Sequence, residues 1–175
     1  MKSDRIIKAI SRVWRAKKAW LRPKKAKVLL VYRDGADLLR EYLDFKCVEI
    51  LDLEDDSFNV YVLMRTLMKH GLRSDLTSYA QSYVALVAPD FLITFIDNSP
   101  LFYRLKPSGS SMVSVAIQNG LRDDELFRHC DSTRTPQVSY TADYVLCFGG
   151  AISEKYKNCF NTQTLAIGSI KNNKF

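Results

Sequence analysis

Apolar residues along the chain concentrate in six short runs without helical period, and such runs predict buried strands. The runs are AKVLLVY (26–32), KCVEILDL (46–53), DFLITFI (90–96), SMVSVAI (111–117), ADYVLCFG (142–149) and TLAIG (164–168). Segments with helical spacing separate most of them, at 36–43, 59–71, 74–89 and 153–158. Strands that are apolar on both faces need cover on both faces. The pattern therefore predicts an α/β fold, a Rossmann-like three-layer parallel sheet of about six strands.

The third predicted strand is halted by Asp97-Asn98-Ser99-Pro100, and a second apolar stretch, Leu101-Phe102-Tyr103, follows at once. One interpretation is a short helix over SPLFYRL, with Asn98 or Ser99 as the N-cap and Pro100 in the first helical position. The other is that Asp97 and Asn98 face a ligand. The remaining strand ends bear on this choice.

Polar residues and glycines follow every predicted strand. In open α/β sheets ligands bind in the crevice outside the carboxyl ends of the strands, and parallel strands place all these ends on one edge. Glycines there allow tight turns and close approach of the backbone to a ligand. The groups, in chain order, are Arg33-Asp34-Gly35, Asp52 with Glu54-Asp55-Asp56, Asp97-Asn98, Gln118-Asn119-Gly120 with Arg122, Gly149-Gly150 and Gly168-Ser169.

The first 25 residues differ from the rest in both charge and pattern. Residues 1–27 hold eleven Lys/Arg and one acid, so the net charge of +7 divides into +10 there and −3 in the remainder. On a helical wheel the apolar residues of this leader fall within an arc of about 140°. They are Ile6, Ile7, Ile10, Val13, Trp14, Trp20 and Leu21, with Lys8, Arg12, Arg15, Lys18 and Arg22 opposite.

This leader is predicted to be a basic amphipathic helix over 1–25, ended by Pro23 and lying on an anionic membrane surface. A helix packed on its own domain or on a partner is the alternative, and a targeting segment is a third. The predicted domains are thus the helix over 1–25 and a Rossmann-like domain over 26–175.

Composition excludes several classes. The basic residues are confined to the leader rather than spread over the predicted domain, which argues against a nucleic-acid partner. Cys47, Cys130, Cys147 and Cys159 have no metal-binding spacing, and a reducing compartment with free thiols is favoured. No metal site is predicted: the acids of 123–125 are better explained as the first turn of a helix. No apolar run reaches the ~18 residues of a spanning helix.

Several short sequence motifs, taken together, resemble those of a known family. LITFIDNSPLFY (92–103) and IQNGLR (117–122) lie on successive strand ends, ADY (142–144) leads into Phe148-Gly149, and GSIKNN (168–173) follows. In this order they resemble bacterial surface carbohydrate biosynthesis proteins, over about residues 27–173. The resemblance is to the amino-terminal half of a glycosyltransferase with two facing Rossmann-like domains (the GT-B arrangement). The second domain, which usually binds the activated sugar nucleotide, is expected to be absent from this chain.

The resemblance implies sugar transfer, or the acceptor-side half of it, with a nucleotide sugar as donor substrate and no cofactor. Such transfer needs a carboxylate near the acceptor hydroxyl and positive charge or amide dipoles for the leaving phosphate. Asp97 is the candidate catalytic residue; a loop-bracing Asp is the alternative. If Asp97 serves a site rather than the fold, Asp97→Asn should leave the melting temperature nearly unchanged. The candidate substrate-binding residues are Arg33, Asp34, Gly35, Asn98, Gln118, Asn119, Gly120, Arg122, Gly149, Gly168 and Ser169.

Plainer explanations exist for the binding residues. Asn119-Gly120 is also a common turn, and Arg33 and Arg122 are of a type usually solvated. A non-catalytic module that binds a sugar or nucleotide, or docks a partner chain, is the alternative function. Expected partners are a sugar or lipid-linked glycan acceptor, the membrane surface and a second transferase half. The expected location is the cytoplasm, with peripheral contact at the inner face of the plasma membrane.

Overall fold

A six-stranded parallel sheet forms the centre of the protein. The computed structural model describes residues 17–53, 57–122, 127 and 140–174. Its strands are β1 (Lys17–Ala19), β2 (Val28–Val31), β3 (Val48–Leu51), β4 (Ser57–Asn59), β5 (Phe91–Thr94), β6 (Val113–Ile117), β7 (Thr141–Cys147) and β8 (Asn161–Ala166). The order across the main sheet is β3-β2-β5-β6-β7-β8, and every neighbouring pair is parallel. The predicted fold class is confirmed.

Within the described residues, the α-helices that lie between the strands have these bounds. They are α1 (Ala36–Leu39), α2 (Val60–His70), α3 (Leu76–Val87) and α4 (Gly150–Cys159). Short 3-10 helices cover Phe45–Cys47, Gly71–Arg73, Phe102–Arg104 and Ile170–Lys174. The predicted helix over 36–43 is only four residues long, and the one predicted over 153–158 begins three residues earlier.

The two long helices between β4 and β5 begin at side-chain caps. Asn59 accepts a hydrogen bond from the Val62 amide at 3.1 Å, and Asp75 accepts one from the Ser78 amide at 2.8 Å. Such caps satisfy amides that have no partner within the helix. The helix α2 ends at Gly71, whose φ of 63° suits a residue without a Cβ.

Apolar side chains fill both faces of the sheet, as the predicted strands require. On one face α3 and α4 pack against Leu29, Leu92 and Val145. On the other, Leu39 of α1 packs against the cluster that contains Leu30. The sheet is therefore a covered central layer, and its accessible parts are the ends of its strands and its outer strands.

The connection order reverses between β2 and β5. From β2 the chain crosses to β3 on one side, and it later returns to place β5 on the other side of β2. When the connections that follow two adjacent strands run to opposite sides, a crevice opens at the carboxyl ends of those strands. Ligands bind in this crevice in doubly wound folds. Here that switch point lies between Tyr32 and Phe95.

The predicted leader helix does not extend to Pro23. Lys17–Ala19 form β1, which pairs in parallel with Ser57–Asn59 of β4. The side-chain amide of Asn59 donates to the Leu21 carbonyl at 2.8 Å, which fixes this segment to the start of α2. The helix prediction is therefore wrong for 17–19, because backbone pairing with a distant strand overrides the apolar spacing. Residues 1–16 lie outside the described residues.

The cap interpretation of the third strand end is also wrong. The helical turn that directly follows Pro100 is the 3-10 helix over Phe102–Arg104, whose N-cap is Leu101 and which has no side-chain cap. Ser99 instead shares a hydrogen bond of 2.8 Å with the Tyr32 hydroxyl. This bond ties the end of β5 to the end of β2 across the switch point.

Candidate functional site

The sheet places all six predicted strand ends along one edge, because its strands are parallel. From one side of the sheet to the other, this edge carries Asp52 after β3, Arg33 after β2, Asp97 after β5 and Asn119 after β6, then Phe148 and Ile167 after β7 and β8. The structure brings Asp97, Asn119 and Arg122 into contact. Arg33, Asp34 and Gly35 lie at the switch point beside them.

Asp97 is the centre of a buried polar cluster. Its side chain has no exposed surface, and its carboxylate accepts two hydrogen bonds from Arg122, one of them from Nε at 2.7 Å. The Asn119 amide also approaches Oδ1, at 3.4 Å. A buried charge is tolerated when it is paired and hydrogen-bonded, and this two-pronged geometry meets that requirement.

The side chain of Tyr156 completes the cluster. Its hydroxyl donates to Oδ2 of Asp97, and the Tyr103 hydroxyl donates to the main-chain carbonyl of Asp97. Burial, together with the nearby carboxylate, raises the pKa of Tyr156 and of Tyr103. Both phenols are therefore neutral donors, as their contacts require.

The guanidinium of Arg122 is also held by the loop after β6. Its Nη2 donates to Oδ1 of Asn119 at 2.6 Å, and its hydrogen bond to Asp97 raises the pKa of the guanidinium. Asp97, Asn119, Arg122 and Tyr156 are called the Asp97 cluster below. The solvated-arginine interpretation does not fit Arg122, whose side chain is 13% exposed.

The sequence missed both tyrosines of this site. Tyr156 lies 59 residues from Asp97, within a helix whose other residues are largely polar. A signal was present, since Ser153, Tyr156 and Phe160 share a face of that helix. A tyrosine in a buried stripe needs a hydrogen-bond partner for its hydroxyl.

Gln118 braces the same loop from inside. It is 3% exposed; its side-chain amide donates to the Gly120 carbonyl at 2.9 Å, and its oxygen accepts from the Phe148 amide at 2.9 Å. These bonds connect the ends of β6 and β7. Lys171 donates to the Asn119 carbonyl at 2.8 Å and so brings the 3-10 helix after β8 to the same loop.

The glycines of the last two strand ends differ in their surroundings from those of the first. Gly149 is the N-cap of α4 without a side-chain cap, and a Cβ there would meet nothing within 4 Å. Gly168 has φ 79° and open space as well, and Ser169 accepts the Asn172 amide in the turn that follows. At Gly149 and Gly168, the edge beyond β7 and β8 thus has room for a side chain, unlike the turn at Gly35.

At the other side of the edge, an open cavity lies next to Arg33. The cavity has a volume of about 280 Å³ and lies between the ends of β2 and β3 and the small sheet of β1 and β4. Arg33 donates to Asp52 at 3.0 Å, yet its side chain is 67% exposed. Lys17 and Tyr79 line the same cavity. The pair of Arg33 and Asp52 is called the open pair below.

The backbone at the switch point has a restricted conformation. Tyr32 has φ 70°, a left-handed value that is unusual for a bulky residue. Gly35 has φ 74°, and a Cβ there would lie 2.3 Å from the ring of Phe95. The predicted glycine therefore serves a close approach, but to a side chain of β5. Asp34 and Asn98 are exposed at this point of the edge.

Two further predictions concern cysteines and metals. Cys47 and Cys147 are free thiols, and burial raises the pKa of Cys147 to about 11. Within the ranges that the structure describes, no group of three or more His, Cys, Asp or Glu residues could hold a metal ion. The acids at 123–125 lie outside those ranges, as do Cys130 and 54–56.

These features define a Rossmann-like α/β fold in which polar residues gather at the carboxyl edge of a parallel sheet. A family model described as "putative O-antigen biosynthesis protein" matches residues 115–175. No curated protein and no solved structure matches the chain. The family match links the chain to surface carbohydrate biosynthesis. It covers the last three residues of β6, all of β7 and β8, and the strand-end residues from Gln118 to Ser169.

Proposed function

We propose that this protein is a glycosyltransferase-like component of bacterial surface polysaccharide biosynthesis, in which the carboxyl edge of the sheet binds a sugar or nucleotide-sugar ligand. The family match to O-antigen biosynthesis carries this proposal, because its 115–175 range includes seven of the predicted site residues. The acceptor-side half of a GT-B-like enzyme is the form that we favour. A nucleotide sugar as donor and a lipid-linked glycan as acceptor are parts of the same proposal.

The geometry supports different roles for the residues along the edge, some structural and some ligand-binding. Asp97 is enclosed, so its contribution is to hold Arg122 and Asn119 in fixed positions. The groups available to a ligand are exposed ones at the switch point, chiefly Arg33, Asp34 and Asn98. An arginine beside an open cavity suits the phosphate of a nucleotide sugar, and an amide suits sugar hydroxyls.

Asp97 as the catalytic carboxylate stays a prediction. A general base must lie within hydrogen-bond reach of the proton it removes, although catalytic contacts often rearrange when substrate binds. Both oxygens of Asp97 are occupied by Arg122, Tyr156 and the Asn119 amide. Use of Asp97 as a base therefore requires the cluster to open.

That occupancy favours a second candidate function, a non-catalytic module that binds a sugar or nucleotide. In such a module the Asp97 cluster would serve only to shape the edge. The two candidates share the ligand class and differ in whether a sugar is transferred.

Isothermal titration calorimetry with uridine, guanosine and thymidine diphosphate sugars tests the shared part. We expect one of them to bind, and Arg33→Ala to weaken that binding about tenfold, the loss of one charged hydrogen bond. Arg104→Ala, another exposed arginine outside the crevice, is the matched control and should bind like the wild type. Absence of binding to every nucleotide sugar and free sugar tested would contradict the proposal.

Mass spectrometry of a reaction with the bound donor and a lipid-linked oligosaccharide separates the two candidates. A mass increase of one sugar supports transfer. Binding without transfer, also after addition of a separately expressed second transferase domain, supports the binding module.

A further inference from the structure

The outer face of α2 carries a stripe of exposed apolar side chains. Met64 is 56% exposed and Met68 is 85% exposed, and Leu72, just beyond the helix, is 98% exposed. Tyr61 begins the same stripe, which follows the spacing of one helix face. Val62 lies on the opposite face and is fully buried. The helix is thus apolar on the side facing the core and again on the side facing solvent.

Basic residues flank this stripe. Arg65 and Lys69 border it within the helix, and with Tyr61, Met64 and Met68 they line a groove of about 480 Å³. The helix Val60–His70 contains no acidic residue. Apolar residues edged by Lys and Arg, without acids, are typical of a surface that meets anionic lipid.

The exposed residues of the leader lie at the amino end of the same helix. Trp20 is 68% exposed and Leu21 is 83% exposed. The Leu21 carbonyl accepts a hydrogen bond from Asn59, the residue that caps α2. Tryptophan is enriched where proteins enter the membrane–water interface. The stripe of Tyr61, Met64, Met68 and Leu72, together with Trp20 and Leu21, is called the α2 surface below.

We propose that the α2 surface docks the protein on an anionic lipid bilayer. The charge of the surface selects this occupant. Residues 1–16 of the chain carry five basic residues and one acid, so they share the sign of Arg65 and Lys69, as would the same face of a second copy. A negatively charged bilayer accommodates both basic segments at once. The proposal does not depend on sugar transfer.

Such docking needs no spanning segment. Among the described helices, none has the length and apolar character that crossing a bilayer requires. The contact is instead interfacial: the methionine side chains enter the headgroup boundary and the flanking cations meet lipid phosphates.

Sedimentation of the full-length protein with vesicles tests the proposal. Vesicles of phosphatidylglycerol and phosphatidylethanolamine should bind the wild type, and vesicles of phosphatidylcholine alone should not. The double variant Met64→Glu/Met68→Glu should bind the vesicles at least about tenfold more weakly. The reason is that two large apolar side chains are no longer transferred from water into the bilayer on binding. Leu165→Glu, at a 49% exposed position on the edge strand β8, is the matched control and should bind like the wild type.

A second variant keeps the apolar stripe and removes its flanking charge. Arg65→Ala/Lys69→Ala should weaken vesicle binding about fivefold for each cation removed. The difference in affinity between this variant and the wild type should vanish at high salt. Unchanged binding by both double variants would overturn the proposal. A wild-type dimer in light scattering that Met64→Glu/Met68→Glu dissociates would also overturn it, since the occupant would then be a second copy.

Discussion

The carboxyl edge of the sheet carries two arginine–carboxylate pairs, Arg122–Asp97 and the open pair of Arg33 and Asp52. The exposed fractions of the arginine and aspartate side chains are 13% and 0% in the first pair, and 67% and 11% in the second. The first pair has further donors from Tyr156 and Asn119. The second borders a cavity.

Burial gives these similar pairs different consequences. Removing Arg122 would leave the fully buried Asp97 carboxylate without its cation, whereas Arg33 is already largely hydrated and Asp52 keeps a further interaction when Arg33 is removed. The Asp97 cluster therefore contributes to the stability of the fold, whereas the Arg33 side chain of the open pair is accessible from solvent. Arg122→Ala and Tyr156→Phe test this comparison, and Gly35→Ala tests the turn at the switch point next to both pairs.

The largest effect is expected from Arg122→Ala. It leaves the Asp97 carboxylate buried without its cation, and we expect the free energy of unfolding to fall by about 3–5 kcal/mol. Arg33→Ala is the matched control at the open pair, with an expected change of at most about 1 kcal/mol. Urea denaturation followed by circular dichroism measures both. Equal losses from the two variants would remove the distinction between the pairs.

A smaller loss is expected from Gly35→Ala at the switch point. The new Cβ would overlap the Phe95 ring and take a left-handed conformation, which together should cost about 2–4 kcal/mol. Gly109→Ala has the same sign of φ but open space around it, so it isolates the backbone part, about 1–2 kcal/mol. Thermal unfolding of both variants gives the difference. If the two lost the same stability, Phe95 would not constrain this turn.

The smallest of the three effects is expected from Tyr156→Phe. This change removes one hydroxyl donor to a charged acceptor and keeps the ring, so the loss should be about 1.5–3 kcal/mol. Tyr61→Phe, at an exposed ring, should change stability by less than about 0.5 kcal/mol. The same urea titration applies. A loss at Tyr156 no larger than that at Tyr61 would show that Arg122 alone sustains the buried carboxylate.

Asp97→Asn now has a different expected outcome from the one that the sequence suggested. An asparagine cannot accept the bonds of Arg122 and Tyr156 with both of its side-chain atoms, because one of them is a donor. The melting temperature should therefore fall. Asp97 is thus a position where the loop-bracing alternative accounts for the observed contacts.

The sheet was predictable because its signal is local: each strand is a run that must be buried along its whole length. The pairing of Asp97 with Arg122 was not predictable, although both residues were assigned to the same edge. The two residues are 25 positions apart, and their spacing in the sequence does not indicate that their side chains touch. β1 escaped prediction for a related reason. Lys17–Ala19 has no apolar pattern, and only its partner Ser57–Asn59 makes it a strand.

The attachment of β1 to β4 also determines how the protein can meet a surface. A leader on a flexible linker would let the domain tumble, but here the chain is fastened to the body from Lys17, beside the amino end of α2. A bilayer that held the leader and the α2 surface would thus hold the whole sheet in one orientation. The open cavity next to Arg33, which Lys17 also lines, would then stay at a constant height above the bilayer. A lipid-linked molecule would reach the cavity by diffusion within the plane of the membrane, which is a two-dimensional search.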